Sequence, residues 1–265
     1  TIAGSDPSGG AGLQADLKTF SALGVYGTTA IVAIVDENTV GVYGVHPVPD
    51  RFVAGQMRSV LSDIGADAVK IGMLHNSDLI RTVRDTLGEY PEVRDIVLDP
   101  VMVATSGDPL LEPDAVSTLR DVLIPHARVI TPNLPEASLL LGEEIVSADQ
   151  FEEAARALSR LGGGRVSVML KAGHLADTDT LTDIFYNAET DRSLHLSSPR
   201  ISTRNTHGTG CTMSSAIAAW LARGADLDTA ARRAKEYISA AVASAAMYET
   251  GKGHGPVHHF YAWWE

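Results

Sequence analysis

The chain has 265 residues, 45% hydrophobic and 20% charged, which is ordinary for a soluble globular enzyme built as one large α/β domain or two small ones. A net charge of −12 argues against a nucleic acid or an anionic membrane as principal partner, and leaves a small anionic substrate open. One cysteine allows no internal disulfide, no Cys/His spacing matches a zinc site and no apolar run is long enough to span a bilayer, so a reducing compartment, the cytoplasm, is the expected setting.

Thr1-Ile2-Ala3 reads as the end of a strand that feeds Gly4-Ser5-Asp6-Pro7-Ser8-Gly9-Gly10-Ala11-Gly12. This glycine-rich turn lets the backbone come close to a ligand at the carboxyl end of a strand, although its spacing is not the dinucleotide fingerprint. Leu13, Leu17, Phe20 and Leu23 recur at helical spacing and predict a first helix ending near Gly24. Residues 28–35 form an apolar, β-branched run read as one strand, and it ends at Asp36-Glu37-Asn38-Thr39, candidate substrate readers. A helix over 49–63 and a strand and turn over 68–73 follow, with Met73 either core or ligand wall.

Ser77 is expected to cap a helix reaching residue 87. Residues 95–102 read as a buried strand carrying Asp99 before Pro100, a metal or phosphate contact or simply a turn aspartate. A helix over 113–123 leads to a strand at 127–130 and to Thr131-Pro132-Asn133-Leu134-Pro135-Glu136, which puts another acid at a helix start. An amphipathic helix over 149–161, a glycine break at 162–164 and a strand over 166–170 precede Lys171-Ala172-Gly173-His174. Segments 181–186 and 193–196 suggest a hairpin at a sheet edge, and 229–247 a long final helix. The tail holds His254, His258, His259 and two tryptophans, read as a packed surface segment in preference to a metal site.

The stretch Asn205-Thr206-His207-Gly208-Thr209-Gly210-Cys211-Thr212 organises the rest. Two glycines bracketing a threonine ahead of Ala216, Ile217, Ala219, Trp220 and Leu221 place a concave turn of N–H groups at a helix N-terminus, where a phosphoryl group is stabilised. A plain tight connection with a threonine cap is the alternative. At that helix end, Cys211 is expected to lose its proton more easily than a free thiol. Strand and helix alternate through most of the chain, which predicts one domain over 1–265, a doubly wound, largely parallel sheet with helices on both faces.

These blocks together resemble the hydroxymethylpyrimidine/phosphomethylpyrimidine kinases of thiamine biosynthesis. The resemblance rests on residues 1–20, Lys70-Ile71-Gly72-Met73-Leu74, Ser106-Gly107-Asp108-Pro109-Leu110-Leu111, Ile130-Thr131-Pro132-Asn133-Leu134-Pro135-Glu136-Ala137, the octet and Gly255-Pro256-Val257-His258-His259-Phe260. It implies a ribokinase-like αβα sandwich without a separate lid domain, usually a homodimer. The implied reaction uses MgATP to phosphorylate 4-amino-5-hydroxymethyl-2-methylpyrimidine and then its monophosphate; a requirement for a monovalent cation stays open. Carried onto this chain, it puts Gly208, Thr209 and Gly210 in an anion hole with Cys211 beside the attacking oxygen. Gly4, Asp16, Glu37, Met73 and Val101 would line the pyrimidine pocket. Asn133, Lys171 and Thr209 would meet ATP, and Asp99 and Glu136 would organise Mg²⁺.

The chain departs from the family pattern at Glu37, where glutamine is usual, at Thr105, where relatives often carry lysine, and at Ala172, where glycine is usual. An ionised Glu37 could only accept hydrogen bonds, which points to altered pyrimidine affinity or drift toward an alcohol such as pyridoxine. Pyridoxal or pyridoxine kinase is therefore the nearest rival reading, and a catalytically idle nucleotide-binding protein of the same fold the more distant one.

Overall fold

The computed structural model describes residues 1–103, 107, 110–173 and 179–264. In chain order its strands and helices are β1 (Ile2–Ala3), α1 (Gly12–Ala22), β2 (Ala30–Ile31), β3 (Ala33–Glu37), β4 (Val42–Pro47), α2 (Asp50–Asp63), β5 (Val69–Ile71), α3 (Ser77–Gly88), β6 (Ile96–Leu98), α4 (Ala115–Thr118), β7 (Val129–Ile130), α5 (Leu134–Leu141), α6 (Phe151–Leu161), β8 (Ser167–Leu170), β9 (Thr180–Asn187), β10 (Arg192–Pro199), α7 (Thr209–Ala222) and α8 (Leu227–Ala245). Eight strands form one sheet in the order β10-β9-β8-β7-β6-β5-β1-β2. It is parallel from β8 through β2 and antiparallel only at the β8–β9–β10 edge, where the expected hairpin lies.

Alternate residues of the strands point to two separate cores. Ile96, Leu98, Ile130, Val168, Leu170 and Ile184 pack with the apolar faces of α2 to α6. Val97, Val129, Met169 and Phe185 pack with α1, α7 and α8 on the other side. Both faces are therefore covered, which is why the parallel strands read as unbroken apolar runs. Lys70 pairs in register with Val97, so its side chain belongs on the α1/α7 side.

Four local expectations change. The run 28–35 is two strands, because the Val32 N–H makes the last bond to β1, at the Ala3 carbonyl (3.0 Å), while the Val32 carbonyl accepts from Val48 (2.9 Å). The chain leaves the main sheet there, and β3 pairs antiparallel with β4 in a two-stranded sheet of its own. The cap of α3 is Asn76, whose Oδ1 accepts from the Leu79 N–H at 2.9 Å; Ser77 instead bonds Thr118. The helix expected over 113–123 is α-helical only in Ala115–Thr118 and widens to a π turn over Leu119–Leu123 before a 3₁₀ turn. Pro125 has no N–H to donate and crowds the carbonyl four residues earlier, so a regular helix cannot run through it. The final helix starts at Leu227 because the Asp226 carboxylate accepts from the Thr229 N–H at 2.7 Å.

Candidate active site

The strand order reverses beside β1, since β2 lies on one side of it and β5 on the other. In an open α/β sheet that is where loops part and a crevice opens beyond the carboxyl ends of the strands. The segments after β1, β5, β6 and β8 and the turn before α7 surround a cavity of about 910 Å³ there.

Two glycine-rich turns form its floor, held by one carboxylate. Asp6 Oδ1 accepts from the Ser8 N–H (2.7 Å), and Oδ2 accepts from the N–H groups of Gly10 (2.9 Å) and Ala11 (2.7 Å) and from the Ser8 hydroxyl (2.9 Å). His207 Nε2, from the octet, lies 2.9 Å from the same oxygen. Burial opposes ionisation of Asp6, but these partners hold its carboxyl well below the usual carboxylate range. The turns meet where Gly208 has a φ of 77°, and a Cβ there would stand 1.8 Å from the Gly10 carbonyl oxygen. Only glycine fits that conformation and that contact.

Gly208 is the N-cap of α7, and no side chain caps the helix. First-turn N–H groups have no intrahelical acceptor, so those of Gly210 and Cys211, on the cavity wall, are available to an anion. A Cβ at Gly210 would lie 3.2 Å from Lys171 Nζ and 3.5 Å from Asp99 Oδ2, so an ion pair stands directly against this turn. Lys171 donates to Asp99 Oδ1 at 3.0 Å; Thr131 (2.9 Å) and Ser214 (3.3 Å) complete the carboxylate's partners. Burial works against the charge on Asp99, yet Lys171 and Lys70 keep its pKa lowered.

Glu136 and Asn133 form a reciprocal cap on α5, with the Glu136 N–H on Asn133 Oδ1 (2.9 Å) and the Asn133 N–H on Glu136 Oε2 (2.8 Å). Burial raises the Glu136 pKa to about 7, with Lys171 opposing and Asp99 adding to the rise. The two carboxyl groups, Asp99 and Glu136, are hard-oxygen donors of the sort a hydrated dication takes. Asp99 already has three partners, so the arrangement fits a cation that keeps most of its water.

Gly4, Glu37, Met73 and Val101 line the same cavity. Asp16 does not. It lies one layer beneath, fully buried, accepting from Lys70 at 2.8 and 2.9 Å, from Ser215 at 2.6 Å and from Thr1 Oγ1 at 2.6 Å. Lys70, its partner, is buried just as completely. The expected acidity of Cys211 is also reversed. Burial pushes the thiol up to about 11, and the neighbouring charge of Lys70, though lowering, is offset by Asp16 and Asp99.

Sequence reasoning assigned no role to Asp6, Lys70 or the buried pair Lys235–Asp183 (2.8 Å), whose residues also line the cavity. Asp6 was hidden in a motif read for its glycines; Asp183 and Lys235 lie 52 residues apart and carry no local signal. Asp183 also accepts from the Ala172 N–H at 2.8 Å, so the departure from glycine there leaves that backbone bond intact. Thr105, most of Ser106-Gly107-Asp108-Pro109 and His174 lie outside the described residues. In the tail His259 is buried and 3.0 Å from Thr212 Oγ1, while His258 packs on Tyr248 and Trp264. Asp6, Glu37 and His207 bring ligand atoms within 4.8 Å of one another. The lone pairs of Asp6 are already engaged by five donors, so this trio is a poor cation site.

The family model for phosphomethylpyrimidine kinase matches residues 6–258. The hydroxymethylpyrimidine/phosphomethylpyrimidine kinase of Salmonella typhimurium is 49% identical over 264 residues, 100% of this chain and 97% of that protein. The thiamine biosynthesis bifunctional protein ThiED of Geobacter sulfurreducens is 48% identical over 99% of this chain and 52% of its own length. Among solved structures, an ADP complex of Bacillus subtilis pyridoxal kinase superposes with a TM-score of 0.87 at 40% identity, covering 98% of this chain and 96% of that one.

Proposed function

The chain belongs to the phosphomethylpyrimidine kinase family and is an ATP-using kinase of thiamine biosynthesis that phosphorylates hydroxymethylpyrimidine and then its monophosphate; on that premise we propose how its residues divide the work. The observation that carries the assignment of roles is the uncapped first turn of α7, which lines the same cavity as Lys171, Asp99, Glu37 and Met73.

The N–H groups of Gly210 and Cys211 receive the γ-phosphoryl group, with Gly208 and Thr209 shaping the turn. Gly4, Glu37, Met73 and Val101 hold the pyrimidine so that its hydroxymethyl oxygen stands beside Cys211 and in line with the phosphorus. That oxygen forms the new P–O bond as the bond to ADP breaks. A loose transition state asks mainly for positioning and charge neutralisation, which the amides and the Lys171 ammonium supply. Asp99 fixes Lys171 in place. Cys211, a neutral thiol near neutral pH, packs beside the hydroxyl, and the alcohol proton leaves with the transferred phosphoryl group or to solvent.

Asn133, Lys171 and Thr209 face the nucleotide, and Asp99 and Glu136 would hold a hydrated Mg²⁺. Bound there, the cation would neutralise the β- and γ-phosphate oxygens. The chain acts as one domain over 1–265, in the cytoplasm, as a homodimer. The apolar side chains exposed on the β3–β4 sheet and its turn, Ile34, Val40, Tyr43 and Val45, support the dimer. No helix among the described residues is long and apolar enough to cross a membrane.

A second reading has its own support, since the B. subtilis structure is a pyridoxal kinase. Mass spectrometry of the products from MgATP with the aminopyrimidine alcohol, and separately with pyridoxal, tests both. Two phosphates on the pyrimidine are expected. Faster phosphorylation of pyridoxal would move the assignment to the rival, and no product from either would remove the kinase roles proposed.

A further inference from the structure

Glu37 ends β3 on the same inward face as Ala33 and Val35, and its half-buried side chain lines the cavity. Its carboxyl group lies within 4.8 Å of both the Asp6 carboxylate and a ring nitrogen of His207. Asp6 is locked as an anion by the N–H groups of Ser8, Gly10 and Ala11, the Ser8 hydroxyl and His207. Two carboxylates this close repel each other, and the one with fewer donors keeps a proton. Asp6 and His207 are the titratable groups that face Glu37 among the described residues. Lys18 donates to the Gly9 carbonyl, Lys70 is committed to Asp16 and Asp36 points to the exposed side of β3.

We propose that Glu37 recognises the substrate as a neutral carboxyl, donating its O–H to a ring nitrogen and accepting from the adjacent exocyclic amine, so that the bound state holds one proton between Glu37 and the ring. The inference rests on the aminopyrimidine reading of the cavity. A carboxylic acid presents one donor and one acceptor side by side, the complement of an amino group next to a ring nitrogen. An ionised carboxylate would set lone pair against lone pair. The pair is satisfied equally by a carboxylate and a protonated ring, and either way the complex carries the proton. Burial and the charge of Asp6 push the Glu37 pKa up to about 7, with His207 opposing. The neutral acid thus offers the donor and acceptor that a glutamine amide would, and the departure at position 37 preserves recognition while making it depend on pH.

The test is calorimetric titration of the aminopyrimidine alcohol, without nucleotide, into the wild-type protein and into Glu37→Gln between about pH 6.5 and about pH 9. Wild-type affinity should fall about tenfold per pH unit above about 7, with about one proton taken up per ligand at the alkaline end. Buffers of different ionisation enthalpy count that proton. Glu37→Gln should bind with an almost flat profile and no proton uptake. A flat wild-type profile, or the same slope in both proteins, overturns the inference while leaving the substrate assignment standing. Absence of binding by the wild-type protein at every pH overturns the aminopyrimidine reading itself. Should the variant fail to fold, the wild-type proton count alone decides.

Discussion

The Lys70 ammonium stands 2.8 and 2.9 Å from the two carboxylate oxygens of Asp16, and neither side chain reaches solvent. Asp16 holds Lys70 charged against the cost of burial, its pKa well above the ordinary lysine value. Removing one partner leaves the other as an uncompensated buried charge. Lys70→Met is expected to lower stability by about 3–5 kcal/mol in urea unfolding, and Lys70→Met with Asp16→Leu by clearly less. Equal loss in the single and double variants would mean that the pair is not coupled.

Cys211→Ser should retain measurable turnover, with kcat/KM reduced by less than about 10²-fold, because a thiol held up at about 11 contributes little as a base. Gly208→Ala forces a side chain at a φ of 77° into the Gly10 carbonyl, and inserting a residue between Gly208 and Gly210 displaces the amides. Both changes should abolish phosphorylation. Steady-state kinetics on the three variants check this order, and equal losses would count against it.

His259 gives a pH effect on stability of defined sign. Burial, aided by the charge of Lys18, lowers its pKa to about 3, whereas an unfolded chain protonates it near 6.5. Its contribution is complete above about 6.5 and is lost as pH falls toward 3, by about 1.4 kcal/mol per unit. Denaturant unfolding at about pH 6.5 and about pH 4.5 should show a smaller loss for His259→Gln than for the wild-type protein.

Tyr43 is 63% exposed on β4 beside Val45. If this sheet joins two copies, Tyr43→Glu with Val45→Lys should halve the mass seen by sedimentation. An unchanged dimer would place the interface elsewhere.

Elements whose chemistry is local were readable before any fold was known. The alternation of apolar runs with amphipathic segments gives the two-sided sheet, and the octet announces its own turn through Gly208 and Gly210. What escaped was set by distant partners. Residues 28–35 are apolar throughout, so nothing in them marks Val32 as the point where bonding passes from Ala3 to Val48. Asp16 looks like a ligand contact until Lys70, 54 residues on, claims it. The acidity of Cys211 was read from a helix end alone, whereas desolvation, with Asp16 and Asp99 nearby, pushes the thiol the other way.

The contact between Gly208 and Gly10 has a consequence for how the enzyme comes into being. The two turns lie some two hundred positions apart along the polypeptide, and each is the mould against which the other sets. A ribosome that has not yet released the last quarter of the chain can have made most of the sheet, but it cannot have made a site able to spend ATP. Competence is therefore acquired in one late step.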